Sequence, residues 1–138
     1  MAYTVSLATR NALCLTIINA INAGDAGSLP SIAFFEGDMP AGPDVDPGIS
    51  PICTIFLNEI PFSTPTNGAS NLLTTPNALT AMAGANADFA WCRFYNRDGE
   101  GVLDGTVSTT PSDESFYISL THTTTNSTIV VNDISIVS

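Results

Sequence analysis

Proline, glycine and asparagine interrupt the chain at short intervals from residue 31 onward, and this punctuation limits what the chain can fold into. Proline breaks helices and removes a backbone donor, while glycine and asparagine favour tight turns. The segments between them are short and rich in β-branched and aromatic residues, which is typical of strands. We therefore predict a mainly β fold, an antiparallel β-sandwich of jelly-roll-like order with roughly seven or eight strands.

The segment before this region has a helical period instead. Apolar residues recur on one face when the residues are placed at steps of about 100°. Ser6 is the expected N-cap, and Gly24 is the expected left-handed residue beyond the C-terminus. We predict one N-terminal amphipathic α-helix over residues 7–23. Its predicted buried face consists of Leu13, Cys14, Ile17, Ile18 and Ile21.

A length of 138 residues fits one domain with its own hydrophobic core. We assign residues 1–138 to a single β-sandwich domain, with an arm and helix in residues 1–24 and the strands in residues 31–138. Every apolar run is shorter than the about 20 residues that a membrane-spanning helix needs, so we expect no membrane insertion.

The charge of the chain excludes several classes of partner. Thirteen acidic residues face three arginines and no lysine, for a formal net charge of -10. Nucleic acids and anionic membrane surfaces are bound through Lys and Arg, so we expect neither as a partner. The polar surface must come mostly from Thr, Ser and Asn, which suggests that neighbouring subunits cover part of it.

The chain offers little material for catalysis or for holding a cofactor. The three cysteines, Cys14, Cys53 and Cys92, are widely spaced and form no metal-binding pattern. We therefore expect them to be reduced and buried, in a protein that is synthesised in a reducing cytoplasm. His122 is the single histidine, and no nucleophile elbow accompanies it. Glycoside hydrolysis by a pair of carboxylates remains an open alternative, but sites of this kind usually hold several aromatic residues around the sugar and the chain has a single Trp. We expect no enzymatic activity and no cofactor.

A proline-rich loop over residues 38–51 is predicted between two of the strands. Its four prolines stiffen the backbone and prevent regular strand pairing. A long, stiff loop in a small domain is usually functional, so we expect it to contact a partner. Its carboxylates could hold Ca²⁺, but their spacing matches no known calcium loop, and we predict no metal site there.

The segment of residues 89–107 holds the only Trp and two of the three arginines. Strand alternation places Phe89, Trp91, Arg93 and Tyr95 on one face, where Arg93 can stack on its aromatic neighbours. Asp98-Gly99 is a tight-turn signal, so the segment reads as a hairpin. A calcium loop would use Asn96, Asp98, Glu100 and Asp104, but Arg97 breaks the required register.

The order of five segments carries a resemblance to a known family. They are ATRNALCLTIINAINAG, LPSIAFFEGDMPAGP, ICTIFLNEIPFSTPTNGAS, ADFAWCRFYNRDGEGVLDGTVS and ESFYISLTHTTTNSTIVVNDISI. The most distinctive part combines Trp91, Arg93, Asp98 and Gly99. Together the segments resemble small virion structural proteins of tailed bacteriophages, several of which are capsid decoration (cement) proteins.

This resemblance implies a β-sandwich without catalysis that assembles on the exterior of a capsid after synthesis in the host cytoplasm. The implied partners are the major capsid protein and further copies of the chain, with a trimer as one candidate. We expect contacts from the arm before the helix and from the proline-rich loop. The predicted contact residues are Ala2, Tyr3, Thr4, Val5, Met39, Pro40, Pro43, Asp44, Asp46 and Pro47.

Two other readings stay open. The chain could occupy another place in the virion, as a tail, neck or fibre-associated component. It could also be a carbohydrate- or calcium-binding β-sandwich module. The absence of lysine, of a catalytic constellation and of an aromatic platform for sugars favours the structural roles.

Overall fold

The computed structural model describes residues 4–84, 87–108, 115–117, 122–123, 128–131 and 134–137. Within these residues the protein is mainly β with one N-terminal helix, as predicted. The helix is α1 (Leu7–Ile21). The strands are β1 (Ser31–Phe35), β2 (Cys53–Phe56), β3 (Ala69–Asn71), β4 (Leu79–Met82), β5 (Ala87–Asp88), β6 (Trp91–Tyr95), β7 (Gly101–Ser108), β8 (Ser115–Tyr117), β9 (His122–Thr123), β10 (Thr128–Val131) and β11 (Ser135–Val137).

The largest sheet has the strand order β2-β1-β6-β7-β8. Its first four strands are antiparallel, whereas β8 joins β7 in parallel, which differs from the purely antiparallel arrangement that we predicted. Antiparallel pairs also join β4 to β10, β3 to β11 and β5 to β9. These described sheets are open, and their order does not show a jelly roll. The described strands are also more numerous than the seven or eight predicted, because residues 87–95 are divided into β5 and β6 and the described chain after residue 114 forms four short strands.

The two faces of the large sheet are covered differently. On the side that we call the inner face, Ile32 and Phe34 of β1 pack with Cys92 and Phe94 of β6 in the main core, which also contains residues of α1, β4 and β10. On the opposite side, the outer face, Phe35 packs in a separate small cluster with Ala33 and Trp91. Because side chains alternate along a strand, β1 and β6 each contribute residues to both clusters.

The helix begins as predicted and ends earlier. The hydroxyl of Ser6 accepts the backbone N–H of Thr9 at 3.2 Å, and the C-cap is Asn22, two residues before Gly24 with its φ of 115°. Leu13 was predicted to be buried but is 50% exposed. Cys14 lies near the centre of the buried stripe of the helix, and Leu13 is rotated about 100° away from it around the helix axis. α1 is too short to span a membrane, and the described part of the chain holds no other candidate helix.

Two aromatic side chains lie in surroundings that differ from the predicted ones. The near-continuous apolar character of ICTIFLNEI predicts burial of β2 on both faces, but its residues alternate between buried and exposed and Phe56 is 64% exposed. Phe89 was predicted beside Trp91, but it stacks on Phe34 in the main core with ring centroids 4.8 Å apart. The break between β5 and β6 at residues 89–90 restarts the alternation, so Phe89 points to the inner side.

Candidate functional site

The predicted contact residues of the N-terminal arm lie just before α1. Ala2 and Tyr3 fall outside the described residues. Thr4 and Val5 are exposed. The helix that follows them packs its buried residues Cys14, Ile18 and Ile21 into the main core.

The other predicted contact region is the loop over residues 38–51, which we call the proline loop. It exposes its carboxylates to solvent and partly buries three of its prolines. The exposed contact residues are Met39, Asp44 and Asp46, and the half-buried ones are Pro40, Pro43 and Pro47. The loop therefore has one side that faces the protein and one side that is open to a partner.

Arg93 anchors the proline loop to the outer face of the large sheet. Its Nη1 donates to the carbonyl of Val45 at 2.8 Å, and its Nη2 donates to the carbonyl of Gly42 at 3.1 Å. Its Nε and Nη2 also donate to the two carboxylate oxygens of Asp104, at 2.6 and 2.9 Å. Asp104 is the direct cross-strand neighbour of Arg93. One guanidinium thus joins β6, β7 and the loop.

This ion pair is buried, which makes its geometry energetically important. The side chains of Arg93 and Asp104 keep only 3% and 4% of their accessible surface. The hydrogen bond to Asp104 raises the pKa of Arg93, so the guanidinium stays charged. The Cζ atom of Arg93 lies 5.4 Å from the ring centroid of Trp91, which stacks on Phe35 at 4.2 Å. Because the bidentate pair and the two carbonyls use most of the guanidinium donors, the buried charge is well solvated by protein.

Gly101 allows the loop to approach the sheet closely. A Cβ atom at this position would lie 2.6 Å from the carbonyl oxygen of Pro43 and 3.0 Å from Cδ of Arg93. The first distance is too short for any side chain and involves a backbone atom of the loop, whereas the second is a tight contact with a flexible side chain. The glycine is therefore required by the close contact rather than by its own turn.

The proline loop also has internal turns that hold its shape. The N–H of Val45 donates to the carbonyl of Gly42 at 3.0 Å, and the carboxylate of Asp46 accepts the N–H of Gly48 at 2.8 Å. These turns place the same carbonyls toward Arg93. The loop is thus a preformed surface element that connects β1 to β2.

Arg97 has a similar role at the other end of the hairpin. Its guanidinium donates to the carbonyl and side-chain oxygens of Asn22, to the carbonyl of Ser28 at 2.6 Å and to the carbonyl of Glu59 at 2.8 Å. Its backbone N–H donates to the carbonyl of Ala23 at 2.9 Å. A cation at the C-terminus of a helix also opposes the negative end of the helix dipole. Arg97 therefore holds the end of α1 against the hairpin.

Because both hairpin arginines point inward, the exposed charge is acidic. Arg93 and Arg97 are buried, and Arg10 is half-buried. Among the described residues, the exposed carboxylates are Asp25, Glu36, Asp38, Asp44, Asp46, Glu59, Asp88, Asp98 and Glu100. Four of these, at residues 36, 38, 44 and 46, lie in or beside the proline loop.

The residues of the alternative calcium reading form a turn instead. The side-chain oxygen of Asn96 accepts the N–H groups of Asp98 at 3.0 Å and Glu100 at 2.9 Å. Asp98 accepts the N–H of Asp25, and Asp104 is occupied by Arg93. No group of three or more His, Cys, Asp or Glu side chains within the described ranges is placed to hold a metal ion. Gly99 has a φ of 80°, which confirms the predicted turn.

The cysteine thiols do not lie in a catalytic arrangement within the described part of the structure. Cys14, Cys53 and Cys92 are buried free thiols, as predicted. Burial raises the pKa of Cys53 to about 11 and also raises the pKa of Cys92, so both stay protonated at neutral pH. His122 begins β9, but its side chain lies outside the described part of the structure.

A shallow cleft of about 190 Å³ lies between α1 and the segment of residues 60–64. Leu15, Asn19, Ile60 and Ser63 are among its lining residues, and none of the lining side chains is ionisable at neutral pH. The cleft thus lacks the acid, base or charged group that most catalytic sites use.

Sequence reasoning identified the proline loop but missed its anchor. Strand alternation placed Arg93 correctly on the face of Trp91, but its pairing with Asp104 across the hairpin was not predicted. What could not be read was that two loop carbonyls, 48 and 51 residues away in the chain, complete the site. The one local signal was Gly101, an apparently unnecessary glycine at the start of β7.

Comparisons with known proteins do not identify a family. No protein-family model matches the chain, and no curated protein or solved structure matches it.

Proposed function

We propose that this chain is a non-enzymatic virion structural protein of a tailed bacteriophage, with the fold of an antiparallel β-sandwich. In this proposal it is a capsid decoration protein that binds the lattice of the major capsid protein on the outside of the head. Its support is the sequence resemblance together with the proline loop. Self-association into a homo-oligomer is part of the same proposal.

The anchored proline loop is the observation on which the proposal mainly depends. The loop exposes acidic side chains and also apolar ones, since Met39, Val45 and Ile49 keep 41%, 46% and 47% of their surface. Arg93 and the internal turns hold its backbone before any partner binds. A preformed loop loses less conformational entropy on binding than a flexible one. Such a loop favours an apolar partner surface that is rimmed by basic residues.

The proposed action follows from mass action. A protein that binds the assembled, expanded shell better than the unexpanded shell shifts the equilibrium toward the expanded state and stabilises it. No covalent chemistry is needed, because the binding free energy is added at each lattice site. The effect on the shell would thus scale with occupancy.

The test is binding to expanded shells made from the major capsid protein encoded nearest to this gene. We expect the purified chain to cosediment with these shells and to raise their temperature of disruption. Replacing Asp44 by lysine should weaken binding, because the loop would then repel a basic rim. Glu100→Lys, at an exposed position in the β6–β7 turn, is the matched control and should bind normally.

Failure of the unmodified chain to bind the shells would contradict the proposal. Equal loss in the loop variant and in Glu100→Lys would contradict the role of the loop and indicate a general charge effect. Labelling the chain on intact particles tests the other virion positions, since a decoration protein covers the head and a neck or tail component marks one vertex. A thermal shift with Ca²⁺ or binding to a glycan array would support the sugar- or calcium-binding alternative instead.

A further inference from the structure

A tight turn at the start of β3 contains the only Asn-Gly pair of the chain. The backbones of Thr66 and Ala69 exchange two hydrogen bonds, at 2.8 and 3.1 Å, so Asn67 and Gly68 are the two central residues of a hairpin turn. Their φ values are 54° and 78°, and a type I′ turn requires positive φ at both of these positions. Asn67 is exposed, whereas Gly68 is buried. The turn thus presents an asparagine side chain to water and buries the glycine that follows it.

An Asn-Gly pair carries a chemical reactivity of its own. The backbone nitrogen of the glycine attacks the side-chain carbonyl carbon of the asparagine, which closes a succinimide ring. As the new bond forms, the bond to the side-chain nitrogen breaks, and the proton of the N–H leaves with the ammonia. Water then opens the ring to give aspartate or isoaspartate. Glycine favours this reaction because no Cβ hinders the approach of its nitrogen.

The attacking nitrogen of this turn is held by α1. The N–H of Gly68 donates to the side-chain oxygen of Asn11 at 2.7 Å, across 57 residues of the chain. The nitrogen can attack only after it loses this proton and turns toward the side chain of Asn67. The hydrogen bond opposes both changes, because it stabilises the protonated N–H and fixes its direction.

Arg10 covers the same glycine from the helix side. A Cβ atom at Gly68 would lie 3.4 Å from Cβ and 3.5 Å from Nη1 of Arg10, so the arginine side chain lies directly over the glycine. A base that removes the proton of the N–H must displace this side chain. Arg10 and Asn11 are neighbours on α1 and both are half-buried. The two contacts are therefore lost together if α1 moves away from the turn.

We propose that Asn67 is a site of spontaneous hydrolytic modification, by deamidation through a succinimide, and that Asn11 suppresses this reaction while α1 is packed against the turn. Deamidation makes the net charge one unit more negative than -10. An isoaspartate product also lengthens the backbone of the turn by one atom, which the two-residue turn cannot accommodate.

The modification is a chemical record of helix displacement. Repacking of α1 does not restore the amide, because the ammonia has been released. Conditions that displace the helix should therefore leave modified chains behind even after the helix returns. The inference is independent of the proposed function, since it concerns the free chain and requires only water as the second reactant.

The test is the rate of conversion at Asn67 in the purified chain, measured by peptide mapping with mass spectrometry in a mildly alkaline buffer. The folded chain should react at least about tenfold more slowly than the chain unfolded in urea, which is the effect of about one hydrogen bond on a rate. Asn11→Ala should raise the rate in the folded state by a similar factor. Asn11→Asp should stay slow, because its carboxylate accepts the same N–H.

Asn19→Ala is the matched control, since it removes an exposed asparagine from the same helix, and it should also stay slow. Unfolding curves give the unfolded fraction of each variant, and its contribution is subtracted before the rates are compared. Asn11→Leu, which keeps the side-chain volume but offers no acceptor, takes the place of Asn11→Ala if the smaller residue prevents folding.

Equal rates in the folded and the unfolded unmodified chain would overturn the proposal. Equal acceleration by Asn11→Ala and Asn11→Asp would also overturn it, because loosened helix packing rather than the hydrogen bond would then control the reaction. The same conclusion would follow if Asn19→Ala reacted as fast as Asn11→Ala. Shell binding is not part of this experiment, so its outcome and that of the proposed function are separate.

Discussion

The two faces of the large sheet are built from the same strands but are held by different forces. The inner face is packed by Ile32, Phe34 and Phe94 within one apolar cluster. The outer face has a few aromatic contacts and depends on the buried pair of Arg93 and Asp104 for its link to the proline loop. The first kind of contact is non-directional and tolerates rearrangement, whereas the second requires particular atoms at particular distances.

This difference indicates how stability and recognition are divided in the molecule. The inner face contributes most of the buried apolar area and thereby most of the folding free energy. The outer face adds comparatively little hydrophobic burial but determines where the proline loop lies. Damage to the inner face should therefore unfold the whole protein, while damage to the outer face should mainly displace the loop.

Phe94→Ala should have the largest effect on stability. Phe94 is fully buried in the main core, so its truncation leaves a cavity, and its ring centroid lies 5.9 Å from that of Phe62. We expect a loss of about 4 kcal/mol in the free energy of unfolding. Urea denaturation followed by Trp91 fluorescence measures it. Phe56→Ala, the same truncation at a 64% exposed position, is the control and should cost less than about 1 kcal/mol.

Asp104→Ala should have the next largest effect, because it leaves the buried Arg93 charge without its partner. We expect a loss of about 3 kcal/mol, together with faster amide hydrogen exchange in the proline loop. A variant that replaces both residues by apolar ones, Arg93→Met with Asp104→Leu, should recover much of the stability but not the loop protection. If loop exchange is unchanged in that double variant, then Arg93 does not anchor the loop.

Gly101→Ala should have a smaller and more local effect. The added methyl group would lie 2.6 Å from the carbonyl of Pro43, so the loop must move away from the sheet. We expect a loss of about 1–2 kcal/mol and a changed environment of Trp91 in near-ultraviolet circular dichroism. Gly42→Ala is the matched control within the loop, since a Cβ there meets nothing within 4 Å. Equal destabilisation by both substitutions would show that the close approach at Gly101 is unimportant.

The last expected effect is absent at neutral pH and concerns the thiol of Cys53 on the inner face. Burial raises its pKa from the ordinary value of 9.0 to about 11, so the folded state favours the protonated thiol. Its contribution to stability is complete below pH 9 and is lost as the pH rises from about 9 toward 11. Denaturation of the unmodified chain and of Cys53→Ala across this range isolates the contribution. Parallel pH profiles for the two proteins would exclude it.

Local signals predicted the backbone well where a few neighbouring residues decide the conformation. Ser6 caps the helix and Asp98-Gly99 closes the hairpin, as expected. These features depend on side-chain hydrogen bonds or φ preferences within four residues. They were therefore readable before any tertiary contact was known.

Predictions of burial failed where cover comes from a distant segment. Phe56 looked like a core residue because its neighbours are apolar, yet the chain places no cover over it. Leu13 lies on the helix beside a buried residue, but the packed stripe is narrower than the apolar one. In both cases apolar character was necessary for burial without being sufficient, since a folded surface always retains apolar atoms.

By itself the sequence determined the mainly β fold with its N-terminal helix, the turns and the acidic charge, because periodicity, turn chemistry and composition act locally or add up along the chain. Only the tertiary structure decided that Arg93 would hold carbonyls 48 and 51 residues away, that Arg97 would hold the helix end 75 residues away and that Phe56 would stay exposed. The physical reason is that a buried guanidinium can donate hydrogen bonds to any well-placed oxygen. Which oxygen it finds depends on how all the other segments have packed.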